Sequence, residues 1–169
     1  MKIKLYYHGN CPDGFGSAWA FYQKYGKTIE YEKFFYGRNI KQSDHDIIFF
    51  ADCSISKENL DELTKKSKVI IIDHHKTAYE NLNGYEFLYF NQNNSGCVLS
   101  WKYLFEDEPV PPLLKYIEDR DLWKWELEYT KEILCYLDSL DFDYSSWSKM
   151  NKTMSEDKGF IKIVESGKD

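Results

Sequence analysis

Apolar and polar positions along the chain alternate between short apolar runs and longer segments of helical period. KIKLYY at 2–7 reads as a strand, and TIEYEKFFY at 28–36 alternates polar with apolar as a half-buried strand does. DIIFFAD at 46–52 and KVIIID at 68–73 are apolar at consecutive positions, a pattern that requires burial of both faces. YEFLYF at 85–90 predicts one more strand. Between these, GFGSAWAFYQKY (14–25) predicts a helix with small residues at its start, and SKENLDELTKKS (56–67) a helix opened by a Ser cap. Further helices are expected over SGCVLSWKYLF (95–105), LLKYIEDRDLW (113–123) and KEILCYLDSL (131–140). The PVPP of 109–112 is a loop whose last prolines suit the start of the second of these. From Met154 onward the pattern fades into charge and predicts no element.

Strands alternating with helices, with central strands buried on both faces, imply an α/β fold. It is an open, largely parallel β-sheet flanked by helices on both faces, with a helical C-terminal part. Ligands of such sheets bind at the carboxyl ends of the strands. The unusual polar residues fall at those ends: His8 after the first strand, Asp52 at the end of a central one, and Asp73-His74-His75 at the end of another. Taken singly, each has an ordinary reading. His45 is a loop residue, a strand-end Asp is often a turn residue or a cap, and adjacent histidines point to opposite sides of an extended chain. The convergence of three separate clusters on one edge carries the argument.

Composition narrows the partners. At 169 residues the chain suits one domain, and with 43% hydrophobic and 30% charged residues it builds a core rather than remaining disordered. A net charge of −6 offers no basic stripe for duplex DNA. An acidic protein meets phosphate through a metal ion instead. Cys11, Cys53, Cys97 and Cys135 are scattered without a CxxC pair, and MKIKLYYHG lacks the apolar run of a signal peptide. No segment reaches the length of a membrane span. The expectation is a reduced, cytoplasmic protein with no membrane partner.

Imidazole and carboxylate together suit divalent first-row metals such as manganese, iron, cobalt or zinc. A carboxylate between two such ions bridges them, and the pair activates a water and neutralises charge on a phosphoryl group.

IIDHHKTA at 71–78 resembles the name-giving motif of the DHH phosphoesterase superfamily. The resemblance runs in order along the chain. YYHGNCPDGFGSAWA (6–20) resembles the first motif, FFADCSI (49–55) the second, and NNSGCVLSWKYLF (93–105) the segment before the fourth. YIEDRDLWKWEL (116–127) is similar to the fourth motif itself. The match covers residues 1–145, leaving 146–169 as a C-terminal tail or the start of a linker to a second domain. It implies an Mn²⁺-favouring phosphoesterase with one or two ions, which hydrolyses a short single-stranded oligonucleotide, a dinucleotide or another small nucleoside phosphate by attack of metal-bound hydroxide.

Carried over residue by residue, the resemblance implies metal ligation by His8, Asp13, Asp52 and His74, with Asp52 the bridging acid. Asp119 or Asp121 supplies the fourth-motif carboxylate, with Asp119 favoured. His75 touches the substrate phosphate or protonates the leaving oxygen, and Asp73 holds a histidine in one tautomer. Arg120 and Lys76 are phosphate-contact candidates, or solvated cations. The amides of Ser95 and Gly96 meet an anion, or form an ordinary capping turn. Phe15, Trp19 and Trp123 are candidates for stacking a base, although Trp19 fits a core, and Trp125 flanks the fourth motif with Trp123.

Two departures from the pattern stand out. Many members carry two acids in the first motif; here only Asp13 is present, and Cys11 or Phe15 takes the place of the other. A DHH-associated C-terminal domain usually follows, and nothing after residue 145 resembles it, so a partner chain is one source of the missing half. Two other readings share these residues: a non-catalytic metal- or nucleotide-binding module, and a pyrophosphate or polyphosphate hydrolase.

Overall fold

The computed structural model describes residues 1–168. Five strands, β1 (Ile3–His8), β2 (Glu30–Phe34), β3 (Ile47–Ala51), β4 (Lys68–Asp73) and β5 (Leu88–Phe90), form one sheet in the order β2-β1-β3-β4-β5. Every neighbouring pair is parallel. The order reverses direction between β1 and β3, which opens a crevice at their carboxyl ends.

The apolar runs of β3 and β4 are explained by two cores. Phe49, Ala51, Ile70 and Ile72 project to one side, Ile48, Phe50, Val69 and Ile71 to the other. Helices α1 (Pro12–Tyr25) and α4 (Gly96–Phe105) cover the first face. They cross closely because Gly16 has no side chain: a Cβ there would lie 2.9 Å from the Cβ of Cys97. The opposite face receives Leu60 and Leu63 of α2 (Lys57–Leu63) and Leu82 of α3 (Lys76–Leu82). Ser56 caps α2, its hydroxyl accepting from Asn59 N. Helix α3 is an addition to the elements expected from the sequence.

Outside α1 and α4 lie α5 (Pro112–Asp121), α6 (Thr130–Asp138), α7 (Tyr144–Met154) and α8 (Asp157–Ser166). The last two correct the expectation of a tail or linker over 146–169. Trp147, Met150 and Met154 recur at helical spacing on α7, and all three enter the core shared with α1 and α4. Trp147 is fully buried against Phe15, with ring centroids 4.8 Å apart. Ile163 and Val164 of α8 close the same core, so residues 144–166 belong to the body of the domain. No helix among the described residues is long and apolar enough to cross a membrane.

Candidate metal centre

Asp52 is the first residue beyond β3, and it sits in the left-handed region at φ 56°. Asp tolerates this conformation better than most side chains. The turn leaves the backbone N–H of Asp52 donating to Ile72 O of the neighbouring strand at 2.9 Å, and it buries the carboxylate. Gly96 makes room for it: a Cβ on Gly96 would lie 2.5 Å from the Asp52 Cβ and 2.8 Å from Oδ1.

Side chains from four other segments meet this carboxylate. His8, at the end of β1, places Nδ1 3.3 Å from Asp52 Oδ2. His74, just past β4, places Nε2 3.3 Å from Asp52 Oδ1 and 3.6 Å from both Asp13 Oδ2 and Asp121 Oδ2. Asp13 projects from the first turn of α1, and Asp121 is the last residue of α5. Cys11, immediately before α1, completes a group with His8 and Asp52 in which the ligand atoms lie within 4.8 Å of one another. The same spacing unites Asp52, His74 and His75, and also Asp13, His74 and Asp121. Of the two residues left open for the missing acid, Cys11 is therefore the one at the cluster. Phe15 is buried among Tyr7, Tyr144 and Trp147.

The adjacent histidines turn to the same side, with ring centroids 4.4 Å apart, contrary to the extended-chain expectation. The strand stops at Asp73, and His75 is already the N-cap of α3. Asp73 fixes this turn. Its Oδ1 accepts from His74 N at 2.8 Å and His75 N at 3.1 Å, and lies 2.7 Å from His75 Nδ1. With Nδ1 committed to Asp73, His75 keeps Nε2 for an external partner.

Other expected site residues are engaged elsewhere. Asp119, favoured from the sequence as the fourth-motif ligand, is turned away from the cluster. It accepts from Glu126 N at 2.9 Å, Leu127 N at 3.2 Å and the Thr130 hydroxyl at 2.5 Å. Its role is to fold the loop that carries Trp123, Trp125 and Tyr129, all at positive φ. Asp121 takes the place at the cluster. Arg120 forms a two-pronged ion pair with Asp138 of α6, at 2.7 and 3.1 Å, instead of facing the centre. Lys76 is exposed and lies 3.5 Å from Glu80.

The amino terminus of α4 is already engaged, by the carboxyl group of Asp13. Gly96 N and Cys97 N donate to its two oxygens at 2.7 and 2.9 Å. Ser95 caps α4 through its hydroxyl, and its backbone N–H donates to Glu118 Oε2 at 2.9 Å. Sequence reasoning missed Tyr36, whose ring centroid lies 5.4 Å from that of His8 and 6.5 Å from that of His75. Its position just beyond β2, on the same sheet edge as His8, was the available signal. Trp19 is core, whereas Trp123 is 76% exposed.

The electrostatics are those of a site short of positive charge. Contact with Asp52 pushes the His8 imidazole up to about 10, and Cys11 adds to this. Burial pulls His74 down, but Asp52, Asp13 and Asp121 outweigh it and raise the group to about 9. Burial and the neighbouring charges of Asp52 and Asp121 hold Asp13 well above the usual carboxylate range. Burial also works to raise Asp52, yet His74 and His8 together keep it below that range. Both Asp52 oxygens, His8 Nδ1 and His74 Nε2 are buried without a hydrogen-bond partner. Buried polar atoms are normally paired, and a divalent cation on each side of Asp52 would satisfy all four. The donor set therefore fits a metal.

Known proteins share both the fold and the sequence of this chain in part. A solved structure of an uncharacterized protein from Helicobacter pylori G27 superposes with a TM-score of 0.77 over 99% of this chain and 61% of that one, at 14% sequence identity, which shows a shared fold. An uncharacterized protein of Acanthamoeba polyphaga mimivirus is 31% identical over 181 residues, covering 95% of this chain. The chain spans 42% of that relative's length. The family described as "DHH family, N-terminal domain" matches residues 2–134, the whole sheet and every member of the cluster, and the chain belongs to the DHH family.

Proposed function

We propose that the protein is a metal-dependent phosphohydrolase that cleaves a phosphodiester in a small substrate: a dinucleotide, another nucleoside phosphate or a short single-stranded oligonucleotide. The observation that carries this reading is Asp52, buried, without a hydrogen-bond partner at either oxygen and flanked at 3.3 Å by a histidine on each side. Bound divalent ions, with Mn²⁺ the proposed species, supply water activation and charge neutralisation at phosphorus. His8, Asp13, Asp52, His74 and Asp121 are the residues to hold them.

The chain's own groups do the rest. Asp73 orients His75 so that Nε2 presents a proton to the leaving oxygen or donates to a phosphoryl oxygen. Beside His8 and His75, Tyr36 borders a cleft of about 490 Å³ lined also by Arg38, Asn39, Ser54, Ser56 and Thr77. That volume suits a nucleoside-sized ligand better than a polymer. A partner chain contributing further substrate contacts is part of the proposal, and no duplex DNA is expected as a substrate.

A second reading, a binding module without turnover, is favoured by one observation: Cys11 stands where the family's first motif usually carries an acid. The two are separated by turnover with added manganese on a dinucleotide, a nucleoside bisphosphate and pyrophosphate. Asp52→Asn is the control. Hydrolysis that this substitution abolishes supports the hydrolase, and a dinucleotide preferred over pyrophosphate supports the substrate class. Metal binding with no turnover on any of the three selects the module.

A further inference from the structure

We propose that Cys11 is a metal ligand, which makes the two ends of the centre chemically unlike. The end formed by His8, Cys11 and Asp52 then takes a thiophilic divalent ion, namely zinc, cobalt or iron(II). The end formed by Asp13, His74 and Asp121, whose His74 Nε2 also lies 3.3 Å from the other Asp52 oxygen, takes a harder ion such as manganese. This rests on the metal-dependent reading above and adds the identity of the donor at one position.

Several observations converge on that thiol. The ligand atoms of Cys11, His8 and Asp52 already lie within 4.8 Å of one another. The Asp52 carboxylate they share is 1% exposed and has no hydrogen-bond partner at either oxygen, and His8 Nδ1, 3.3 Å from it, has none either. Cys11 occupies the N-cap position of α1 at extended backbone angles but makes no capping hydrogen bond, so its side chain is not committed to the helix.

The other cysteines differ in each respect. Cys53 and Cys97 are fully buried, their Sγ atoms lie 3.8 Å from Tyr6 O and Leu114 O, and burial pushes both thiols well up. Cys135 is exposed on α6. Exchanging a carboxylate for a thiolate keeps the charge of the position and changes its softness. The expected consequence is therefore altered metal selection rather than lost binding.

Cobalt(II) titrated into the metal-stripped full chain reads the bond directly. The wild type should show the near-ultraviolet absorption of thiolate-to-cobalt charge transfer. Cys11→Ser and Cys11→Asp should lose that band, and Cys135→Ser should keep it. Cys11→Asp should also shift the competition between manganese and cobalt toward manganese, by roughly the 10- to 100-fold by which changes around a metal site alter affinity. Without any variant, zinc should protect the Cys11 peptide from alkylation, read by mass. Cobalt bound without a sulfur band, a band that survives in Cys11→Ser, or alkylation of Cys11 unaffected by zinc each overturns the proposal. If Asp52→Asn still abolishes hydrolysis in those cases, the hydrolase reading stands. Absence of any cobalt or zinc binding to the wild type overturns both.

Discussion

Replacing Gly96 with alanine tests whether packing, rather than hydrogen bonding, aims Asp52. The added methyl would sit 2.5 Å from the Asp52 Cβ, 2.8 Å from Oδ1 and 2.9 Å from Cα. Carbon–carbon contact is comfortable only near 3.5–4 Å, so the two groups must part by about 1 Å. None of the three atoms is the free end of a flexible chain. Asp52 cannot swing aside cheaply, because its backbone is held at φ 56° and its N–H is bonded to Ile72 O. If α4 retreats instead, Gly96 N and Cys97 N withdraw from Asp13. Either way one acid of the cluster is displaced.

Two effects oppose each other in this variant. Alanine is the better helix former by about 1 kcal/mol, whereas overpacking costs about 1–3 kcal/mol. The contact wins, and a net loss of up to about 2 kcal/mol is expected in urea denaturation of the metal-free protein. The effect on the site is larger: a displacement of about 1 Å costs on the order of 100-fold in turnover, with metal affinity reduced alongside. Gly26→Ala is the control. Unlike Gly96 it lies at positive φ, and a Cβ there has nothing within 4 Å, so this variant should lose about 1–3 kcal/mol of stability through backbone strain and leave metal affinity unchanged. Wild-type metal affinity and turnover in Gly96→Ala would refute the argument that α4 positions Asp52.

The pair Asp119 and Asp121 separates loop folding from metal binding. Asp119→Ala should lower stability by about 1–3 kcal/mol through the amides of Glu126 and Leu127 and the Thr130 hydroxyl it leaves unmatched. Asp121→Ala should lower metal affinity with little change in the denaturation midpoint. Burial would raise the Asp119 carboxyl, but Thr130 and the loop amides more than offset it and hold it below the usual range. Its contribution is thus present above about pH 4 and is lost as pH falls through the lowered value, a trend that Asp119→Ala should flatten in acid denaturation. Metal affinity should fall with pH for a different reason. In the metal-free protein His8 and His74 hold protons up to about pH 10 and 9, and the ion must displace them, so calorimetry in buffers of differing ionisation enthalpy should register proton release at pH 7. Trp147→Ala should cost about 3–5 kcal/mol, the usual range for emptying a buried aromatic site.

Much of the sheet was legible because a strand buried on both faces has few alternatives. IIFFA and VIII leave no polar face, and the acids and histidines that follow them stand out against that background. The choice between Asp119 and Asp121 was not legible. Both lie on one helix, two residues apart, and at about 100° per residue they point to nearly opposite sides. Which of them faces the cluster is decided by Ile117, Leu113 and Leu114 packing into the core against α1 and α4, a tertiary fact. Helices α7 and α8 were hidden for a related reason. Trp147, Met150, Met154, Ile163 and Val164 are sparse among Lys, Ser and Glu, and they are recognised as apolar faces only once the surfaces they pack on are known, Phe15 for Trp147 and α6 and α7 for α8. The turn of His75 toward His74 depended on where β4 ended, and strand ends are weakly encoded.

The position of Asp52 between two histidines follows from topology. A residue just past β3 lies between β1, which brings His8, and β4, which brings His74, because β3 is the strand paired to both. Placed on β2 or β5, the same acid would have a neighbour on one side only. The left-handed turn at Asp52 then stops the strand so that the carboxylate stands across the sheet edge, Oδ2 toward His8 and Oδ1 toward His74. Each oxygen inherits a different set of companions: Cys11 from the loop before α1 on one side, Asp13 and Asp121 from α1 and α5 on the other. Two unlike half-sites sharing one carboxylate are what a parallel sheet with this strand order provides when an acid follows its central strand. The sulfur at one of them is the feature by which this chain differs from a symmetric, all-oxygen-and-nitrogen design.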